Sequence, residues 1–361
     1  MKAAVLREIG KPLAIEDVQI NKPGPHEVLI RTAAAGVCHS DLHFVEGSYM
    51  YPMPVVLGHE SSGIVEAVGS EVRTVAPGDH VITCLSAFCG HCEHCLTGYM
   101  SRCQSPDVRR GKDEETRLVQ DGKPINQFLN LSSFAEQMLI HEHACVRIRK
   151  DMPLDRAALI GCGVMTGVGA VIHTSKVRPG ETVAVIGCGG VGLACINGAA
   201  LAGAGRIIAV DVLGSKLNLA KHFGATDVVN AKDGDAVKQV QELTGGGVHH
   251  SFEAIGLKQT TEQAWQILRR GGTANVIGMI PVGTKIEIHG PEFLQEKRIQ
   301  GSAMGSNHFP VDMPRLVDAY LAGKLKLDEM ISRRIRLEDV NEAFAEIKKG
   351  EVARSVIMFD A

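Results

Sequence analysis

Residues 187–192 read Gly-Cys-Gly-Gly-Val-Gly and stand between an apolar run at 182–186 and a run of small apolar residues that opens at Val191. A strand that passes straight into a helix through such a run needs glycine for the tight turn, and again where backbone must approach a pyrophosphate at the helix N-terminus. Gly187, Gly189, Gly190 and Gly192 are therefore candidate cofactor contacts. Asp211 closes the next apolar run, nineteen residues beyond Gly192. A carboxylate there accepts hydrogen bonds from the adenosine ribose and repels a 2′-phosphate, which favours NAD over NADP. The alternative is a glycine-rich turn that binds nothing. A glycine triplet alone would not decide between them; the strand before it, the helix after it and the acid at that distance do.

Apolar runs at 183–187, 206–211, 227–230, 250–254, 273–278 and 298–303 read as strands, with helical patterns at 191–204, 215–223, 235–243 and 259–270 between most of them. Repeated strand-then-helix units predict an α/β domain with a parallel, doubly wound sheet. The N-terminal part has another texture. Short β-favouring runs at 3–6, 13–18, 27–31, 63–68 and 80–84 are broken by turn chemistry such as the Asn-Lys-Pro-Gly-Pro of residues 21–25, which predicts a partly open β-barrel. Residues 89–127 are polar and irregular, and the charge run at 109–117 reads as a solvated face. An apolar stretch at 155–174 predicts a buried connecting helix. Helices at 314–322 and 337–348 precede a last strand at 355–359 that returns to the first domain. A chain of 361 residues exceeds the size at which one core keeps growing, so two domains agree with its length.

Composition excludes more than it assigns. A net charge of −3 and 4% aromatic residues leave no basic footprint for nucleic acid or anionic membrane and few rings for stacking on bases. With no charged and apolar leader at Met1 and no uninterrupted apolar run of about 18 residues, a soluble, cytoplasmic protein is expected.

Ten cysteines are too few for a disulfide scaffold in a chain this long, and four of them crowd into Cys89-x-x-Cys92-x-x-Cys95-x7-Cys103. Four thiolates close a tetrahedral shell around zinc, and two-residue gaps let a tight turn aim successive sulfurs at one ion. A closed shell has no vacancy for substrate, so this zinc is structural; four unrelated buried thiols are the alternative. His91 and His94 alternate with the cysteines and are expected to face solvent. Residues 36–43, Gly-Val-Cys-His-Ser-Asp-Leu-His, gather a thiol, two imidazoles, a hydroxyl and a carboxylate behind a glycine that admits an unusual turn, the mixture a metal-assisted proton relay needs. Cys38, His59 and Cys162 would supply two sulfurs and an imidazole with an open fourth position. Each alone is unremarkable, however, and their spacing carries no metal signature.

Taken in order, residues 36–41 (Gly-Val-Cys-His-Ser-Asp), 58–60 (Gly-His-Glu), the four-cysteine lobe, 161–163 (Gly-Cys-Gly) and the glycine run at 187–192 resemble the zinc-dependent alcohol dehydrogenases of the medium-chain dehydrogenase/reductase superfamily, over essentially the whole chain. The resemblance implies a GroES-like catalytic domain at 1–162 and 303–361, its structural zinc lobe at about 89–103, and a Rossmann NAD-binding domain at 163–302. It implies that Cys38, His59 and Cys162 bind catalytic zinc, with Glu60 just behind the metal and Asp41 orienting His59. Ser40 then takes the alcohol proton, and His43 passes it through the cofactor ribose to solvent. Lys216 is implied as a further adenosine-ribose contact, Thr166 and Val191 as neighbours of the nicotinamide, and Arg354 as a pyrophosphate contact. His39 stands where many relatives carry arginine against the pyrophosphate, so weaker NADH retention and a stronger pH dependence of cofactor binding are expected. Tyr49, Leu85 and Met279 fall where the family lines its substrate pocket and imply a largely apolar one.

The reaction so implied is reversible oxidation of primary aliphatic or aryl alcohols to aldehydes, by hydride transfer to NAD. The resemblance further implies two zinc ions per chain and a homodimer or homotetramer, whose contact surface is expected near residues 285–305. One rival is a glutathione-dependent formaldehyde dehydrogenase-like enzyme. It would need a cationic anchor, and Arg109, Arg110 and Arg117 lie in a segment the sequence does not place. Polyol dehydrogenases commonly lack the cysteine that Cys162 supplies. A non-catalytic cofactor-binding relative is the rival from another class; Ser40, His43 and the full set of candidate ligands stand against it.

Overall fold

The computed structural model describes residues 1–111, 113–350 and 352–360. The chain divides into two compact units, Met1–Gly163 with His308–Ala361, and Val164–Asn307.

The first unit is built on antiparallel strands. Its organising strand is Glu27–Val37, where Val28, Ile30, Thr32 and Ala34 turn inward and the residues between them stand outward, at the period of two that a pleated strand imposes. One edge pairs with Ser61–Val68. The other pairs with Gln137–His141 along its first half and with Ser355–Met358 along its second, so the end of the chain returns to this strand. Cys145–Ile148 and His80–Thr83 extend the sheet on one side and Arg333–Ile335 on the other. A second sheet runs in the order Ala14–Asp17, Lys2–Leu6, Val55–Val56, Lys123–Gln127, Leu118–Gln120, Gln19–Ile20. Leu6, Leu42, Leu57, Phe128, Phe134 and Ile357 share one core cluster, and burying each such side chain contributes about 1.5–3 kcal/mol.

Residues 89–127 are more regular than their composition predicts. Leu118–Gln120 and Lys123–Gln127 form an antiparallel hairpin closed by Asp121 and Gly122, both left-handed at φ 49° and 73°, as a two-residue Asp-Gly turn requires. The charge run before it faces solvent as expected at Arg109 and at residues 113–116, but Arg110 and Arg117 turn inward. Arg117 and Glu27 are 7% and 6% exposed, with Arg117 Nε 2.7 Å from Glu27 Oε1 and Arg110 Nη2 2.6 Å from Glu27 Oε2. Burial opposes ionisation of Glu27, but Arg110 and Arg117 outweigh it and hold the carboxyl below its ordinary range. The partner lies 90 residues from Arg117, where no local pattern reaches.

The second unit is a six-stranded parallel sheet in the order Asp227–Asn230, Arg206–Asp211, Thr182–Ile186, Val248–Glu253, Leu268–Val276, Arg298–Gly301. Strand order reverses between Thr182–Ile186 and Val248–Glu253, the place where doubly wound sheets bind ligands beyond the strand C-termini. Helix Gly190–Leu201 buries nine of its twelve residues, which is why it is apolar on every face.

Two boundaries differ from the sequence pattern. The helix predicted at 259–270 ends at Gln266, because the next strand starts at Leu268, pairs there with Val248, and bulges before Thr273 takes up its register with His250. The helix predicted from 314 begins at Phe309. Pro310, not Pro314, is its opening proline, and Asp312 Oδ2 accepts the His308 N–H at 2.7 Å. The apolar stretch from Leu154 to Thr174 is helical with two π turns, Ile160–Val164 and Ala170–Thr174. It has the length and apolarity of a bilayer span, yet 83% of its most apolar window is buried in the protein.

Candidate functional site

Cys38 follows the long strand directly and caps the short helix His39–Val45. His59 follows Gly58, which is left-handed at φ 92°, and Cys162 sits in the π turn Ile160–Val164. The three ligand atoms lie within 4.8 Å of one another, and the residues are 4%, 1% and 6% exposed. Asp41 is wholly buried among them. Its Oδ1 accepts from His59 Nδ1 at 2.9 Å and from Gly58 N at 3.2 Å, and its Oδ2 from Cys38 N at 3.2 Å. A proton held on Nδ1 leaves Nε2 as the lone pair available to a metal. The two thiols hydrogen-bond, which holds Cys38 well below and Cys162 well above the usual thiol range. A divalent cation would displace the proton they share. Two sulfurs and one imidazole, with no fourth protein ligand among the described residues, are the donor set of an open zinc site, so these residues fit that metal.

Glu60 is wholly buried beside this cluster. Burial pushes its carboxyl up to about 7, against the pull of Arg354. Its Oε2 accepts Gly163 N at 2.9 Å, and its Oε1 stands 3.2 Å from Arg354 Nε. The glycine before Cys38 makes room for this pair and does not turn the chain. Gly36 lies in extended strand, where a Cβ would overlap Glu60 Oε1, and a Cβ on Gly163 would overlap the Arg354 guanidinium. The unusual turn expected of Gly36 belongs to Gly58. Arg354 itself is 5% exposed, placed on Glu60 and 3.4 Å from the Val37 carbonyl. No sequence signal pairs an arginine with a glutamate so far along the chain.

Ser40 Oγ lies 3.6 Å from Cys38 Sγ. The His43 ring is 5.0 Å from the ring of exposed His39 and 6.0 Å from that of Tyr49. Burial, and then His39, push His43 below the usual imidazole range, and its Nδ1 is buried with no hydrogen-bond partner among the described residues. An orphaned ring nitrogen of this kind fits a site completed by a ligand. Leu85 packs against the first unit's core, and Met279 is half-buried in the second.

In the lobe, Cys89 and Cys95 sulfurs are 3.9 Å apart, Cys92 and Cys95 3.5 Å, Cys92 and Cys103 3.8 Å, and Cys89 and Cys103 3.7 Å. A zinc–sulfur bond of about 2.3 Å gives a tetrahedral edge of about 3.8 Å, so the four sulfurs fit one ion. His91 and His94 are exposed, and His91 Nε2 lies 2.7 Å from Asp107 Oδ2.

The second unit carries the glycine turn as its sequence reads. Gly187 is left-handed at φ 93°, and Gly189 caps helix Gly190–Leu201 with no side-chain bond. A Cβ on Gly192 would overlap Gly187 O, whereas one on Gly189 would meet nothing within 4 Å. The turn is thus closed on its inner side and open on its outer side, a cradle that fits a phosphate group. Asp211 Oδ2 accepts Cys188 N at 2.8 Å, and its Oδ1 accepts Val212 N at 2.7 Å and Leu213 N at 3.0 Å. Lys216 stands half-exposed on the following helix, Val191 is half-buried in the first turn of its helix, and Thr166 is 7% exposed. Sequence reasoning missed Glu253, the last residue of its strand, whose Oε1 accepts Ile255 N, Gly256 N and Thr260 Oγ1 at 3.0, 2.8 and 2.7 Å and so fixes the loop across the strand-order reversal. A carboxylate closing a strand three residues before a glycine was its signal.

Family models match both parts of the chain, an alcohol dehydrogenase GroES-like domain at residues 24–150 and a zinc-binding dehydrogenase domain at 190–320. An alcohol dehydrogenase class-P of Arabidopsis thaliana is 37% identical, over 100% of this chain and 97% of that one. The benzyl alcohol dehydrogenase of Acinetobacter calcoaceticus superposes with a TM-score of 0.94 at 34% identity, covering 99% of each chain. A zinc-binding dehydrogenase of Sinorhizobium meliloti, solved with NADP bound, gives 0.84 at 29% identity, covering 99% of each. Likeness that runs from end to end at this identity, with each part matched by its own family, makes the chain a member of the zinc-dependent alcohol dehydrogenases of the medium-chain dehydrogenase/reductase superfamily, an oxidoreductase that acts on a small molecule with a nicotinamide cofactor.

Proposed function

We propose that the chain is an NAD-dependent, two-zinc alcohol dehydrogenase that interconverts primary aliphatic or aryl alcohols and aldehydes. The observation that carries this reading is the buried convergence of Cys38, His59 and Cys162, with Asp41 fixing the His59 tautomer. A zinc ion on these ligands supplies Lewis-acid polarisation of an alcohol oxygen, and an oxidised nicotinamide supplies the hydride acceptor. Cys38 and Cys162 bind as thiolates, and Asp41 holds the imidazole in register. Ser40 Oγ takes the substrate's hydroxyl proton, and His43, neutral at pH 7, is the base that delivers it to solvent. The four-cysteine lobe holds the second, structural ion.

Asp211 supports NAD, since its carboxylate would repel a 2′-phosphate. The Sinorhizobium relative carries NADP, so cofactor choice in this chain rests on that residue. Of the three candidate anchors for an anionic thiol adduct, Arg110 and Arg117 are committed to Glu27 and Arg109 is exposed. S-hydroxymethylglutathione therefore belongs in the substrate panel beside benzyl alcohol, which the Acinetobacter relative's name puts first. Assembly as a dimer or tetramer is supported by Arg298–Gly301, an edge strand with one neighbour, preceded by Phe293 and Leu294 at 50% and 91% exposure; light scattering measures it. The deciding experiment for the activity is an alcohol panel with NAD and NADP beside the zinc content per chain. Two zinc ions and NAD-linked turnover of primary alcohols are expected. No turnover of any alcohol by zinc-replete protein would favour a non-catalytic relative.

A further inference from the structure

Three consecutive residues, Met304, Gly305 and Ser306, have φ of 48°, 68° and 49°. Glycine adopts this left-handed conformation freely. For Met304 and Ser306 it brings Cβ against the following carbonyl, and such strain persists where surrounding contacts over-determine it. They do so here. Thr174 Oγ1 lies 2.8 Å from Ser302 Oγ and 2.8 Å from Ser306 Oγ, so one hydroxyl pins both ends of the turn. Asn307 Nδ2 donates to Met304 O at 2.8 Å, and Ser306 N to Ala303 O at 2.9 Å. Gly305 is pressed onto helix Met165–Gly169, where a Cβ would stand 2.5 Å from Met165 O and 2.8 Å from Gly169 Cα. The turn follows Arg298–Gly301, the last parallel strand, and therefore stands at the C-terminal edge of the sheet, the edge on which doubly wound sheets bind their ligands. It brings Met304 Sδ to 3.4 Å from Thr166 Oγ1.

We infer that Thr174 is a positioning residue for the dinucleotide: its hydroxyl holds the left-handed turn at residues 304–306, so that Met304 forms a fixed wall beside Thr166 for the nicotinamide end of the cofactor. This rests on the cofactor reading above, in which Thr166 neighbours the nicotinamide. A wall strained into place before binding spares the cofactor the ordering of that loop, and affinity reads out the difference. The hydroxyl is needed because residue 306 is serine, which pays for a left-handed backbone where glycine would not.

Zinc-loaded Thr174→Val, Ser306→Gly and the double variant are titrated with NADH and with NADPH by nicotinamide fluorescence, with thermal unfolding and alcohol kinetics alongside. Thr174→Val is expected to weaken binding of the preferred dinucleotide about fivefold or more and to raise its KM without lowering kcat in proportion. The double variant is expected to recover affinity to within about threefold of the unmodified protein, because glycine holds the turn without the clamp. A Thr174→Val protein that unfolds at lower temperature yet binds dinucleotide unchanged overturns the inference, as does a loss that Ser306→Gly fails to rescue. If the unmodified protein binds neither NADH nor NADPH, the cofactor reading itself is wrong and the inference falls with it.

Discussion

Asp41 offers no ligand to the proposed metal and yet decides how one is offered, because a single carboxylate spans His59, Gly58 and the Cys38 amide. Asp41→Asn keeps the shape and loses the charge that fixes the Nδ1 proton. It is expected to weaken binding of the catalytic ion about 10–100-fold while the lobe keeps its own; zinc per chain after graded chelation measures this, and parallel loss from variant and parent would contradict it. His39 is exposed beside His43, and His39→Arg puts a permanent guanidinium charge in place of an imidazole. NADH should bind the variant more tightly, and equal or weaker affinity would remove the role assigned to His39. His43 is the residue through which pH acts. Its pKa is depressed, so the ring is neutral at pH 7 and becomes charged as pH falls through a value below the usual 6.5 or so. Alcohol oxidation, which needs the neutral ring, should therefore decline on that acid limb, and the pH–rate profile of His43→Gln should lack it.

At the scale of elements, the segment after the lobe faces solvent as its composition suggests, but two of its arginines turn inward and hold it by charge. Glu27 at the start of the long strand binds both Arg110 and Arg117, and Glu27→Ala would leave two arginines without their counter-charge. A loss of about 3–5 kcal/mol in urea unfolding at pH 7 is expected. The folded-state pKa of Glu27 is depressed, so its contribution is fully present above the unfolded value near 4.3 and fades as pH falls through the folded one. The gap between Glu27→Ala and the parent should narrow accordingly in acid; a constant gap from pH 7 to pH 3 would show that packing, not charge, sets it. The elements themselves were legible in unequal measure. Strands of the parallel sheet are buried on both faces and read as continuous apolar runs, as Arg206–Asp211 shows. The hairpin at Leu118–Gln120 and Lys123–Gln127 carried its Asp-Gly turn in plain sight, but polar flanks hid it. The helix end at Gln266 depended on a strand bulge that helical periodicity over the same residues does not record.

At the scale of the whole molecule, what could be read from local sequence were the features that are local in space. The glycine turn and the four-cysteine lobe are each made by residues within one short stretch, and each has the geometry its spacing predicts. Cys38, His59 and Cys162 are brought together from a strand end, a left-handed turn and a π turn, so their meeting depends on strand order and not on spacing; family resemblance supplied it. The Glu60–Arg354 pair and the Thr174 clamp lay beyond both routes, since each joins residues distant along the chain with no motif between them. Whether Cys38, His59 and Cys162 make this chain an alcohol oxidoreductase is decided by comparing Cys38→Ser with the unmodified enzyme for zinc per chain, NADH binding and NAD-linked oxidation of benzyl alcohol. The variant should lose one of two zinc ions, bind NADH as before, and turn over at least about a thousandfold more slowly. Full turnover with both ions retained would contradict the assignment.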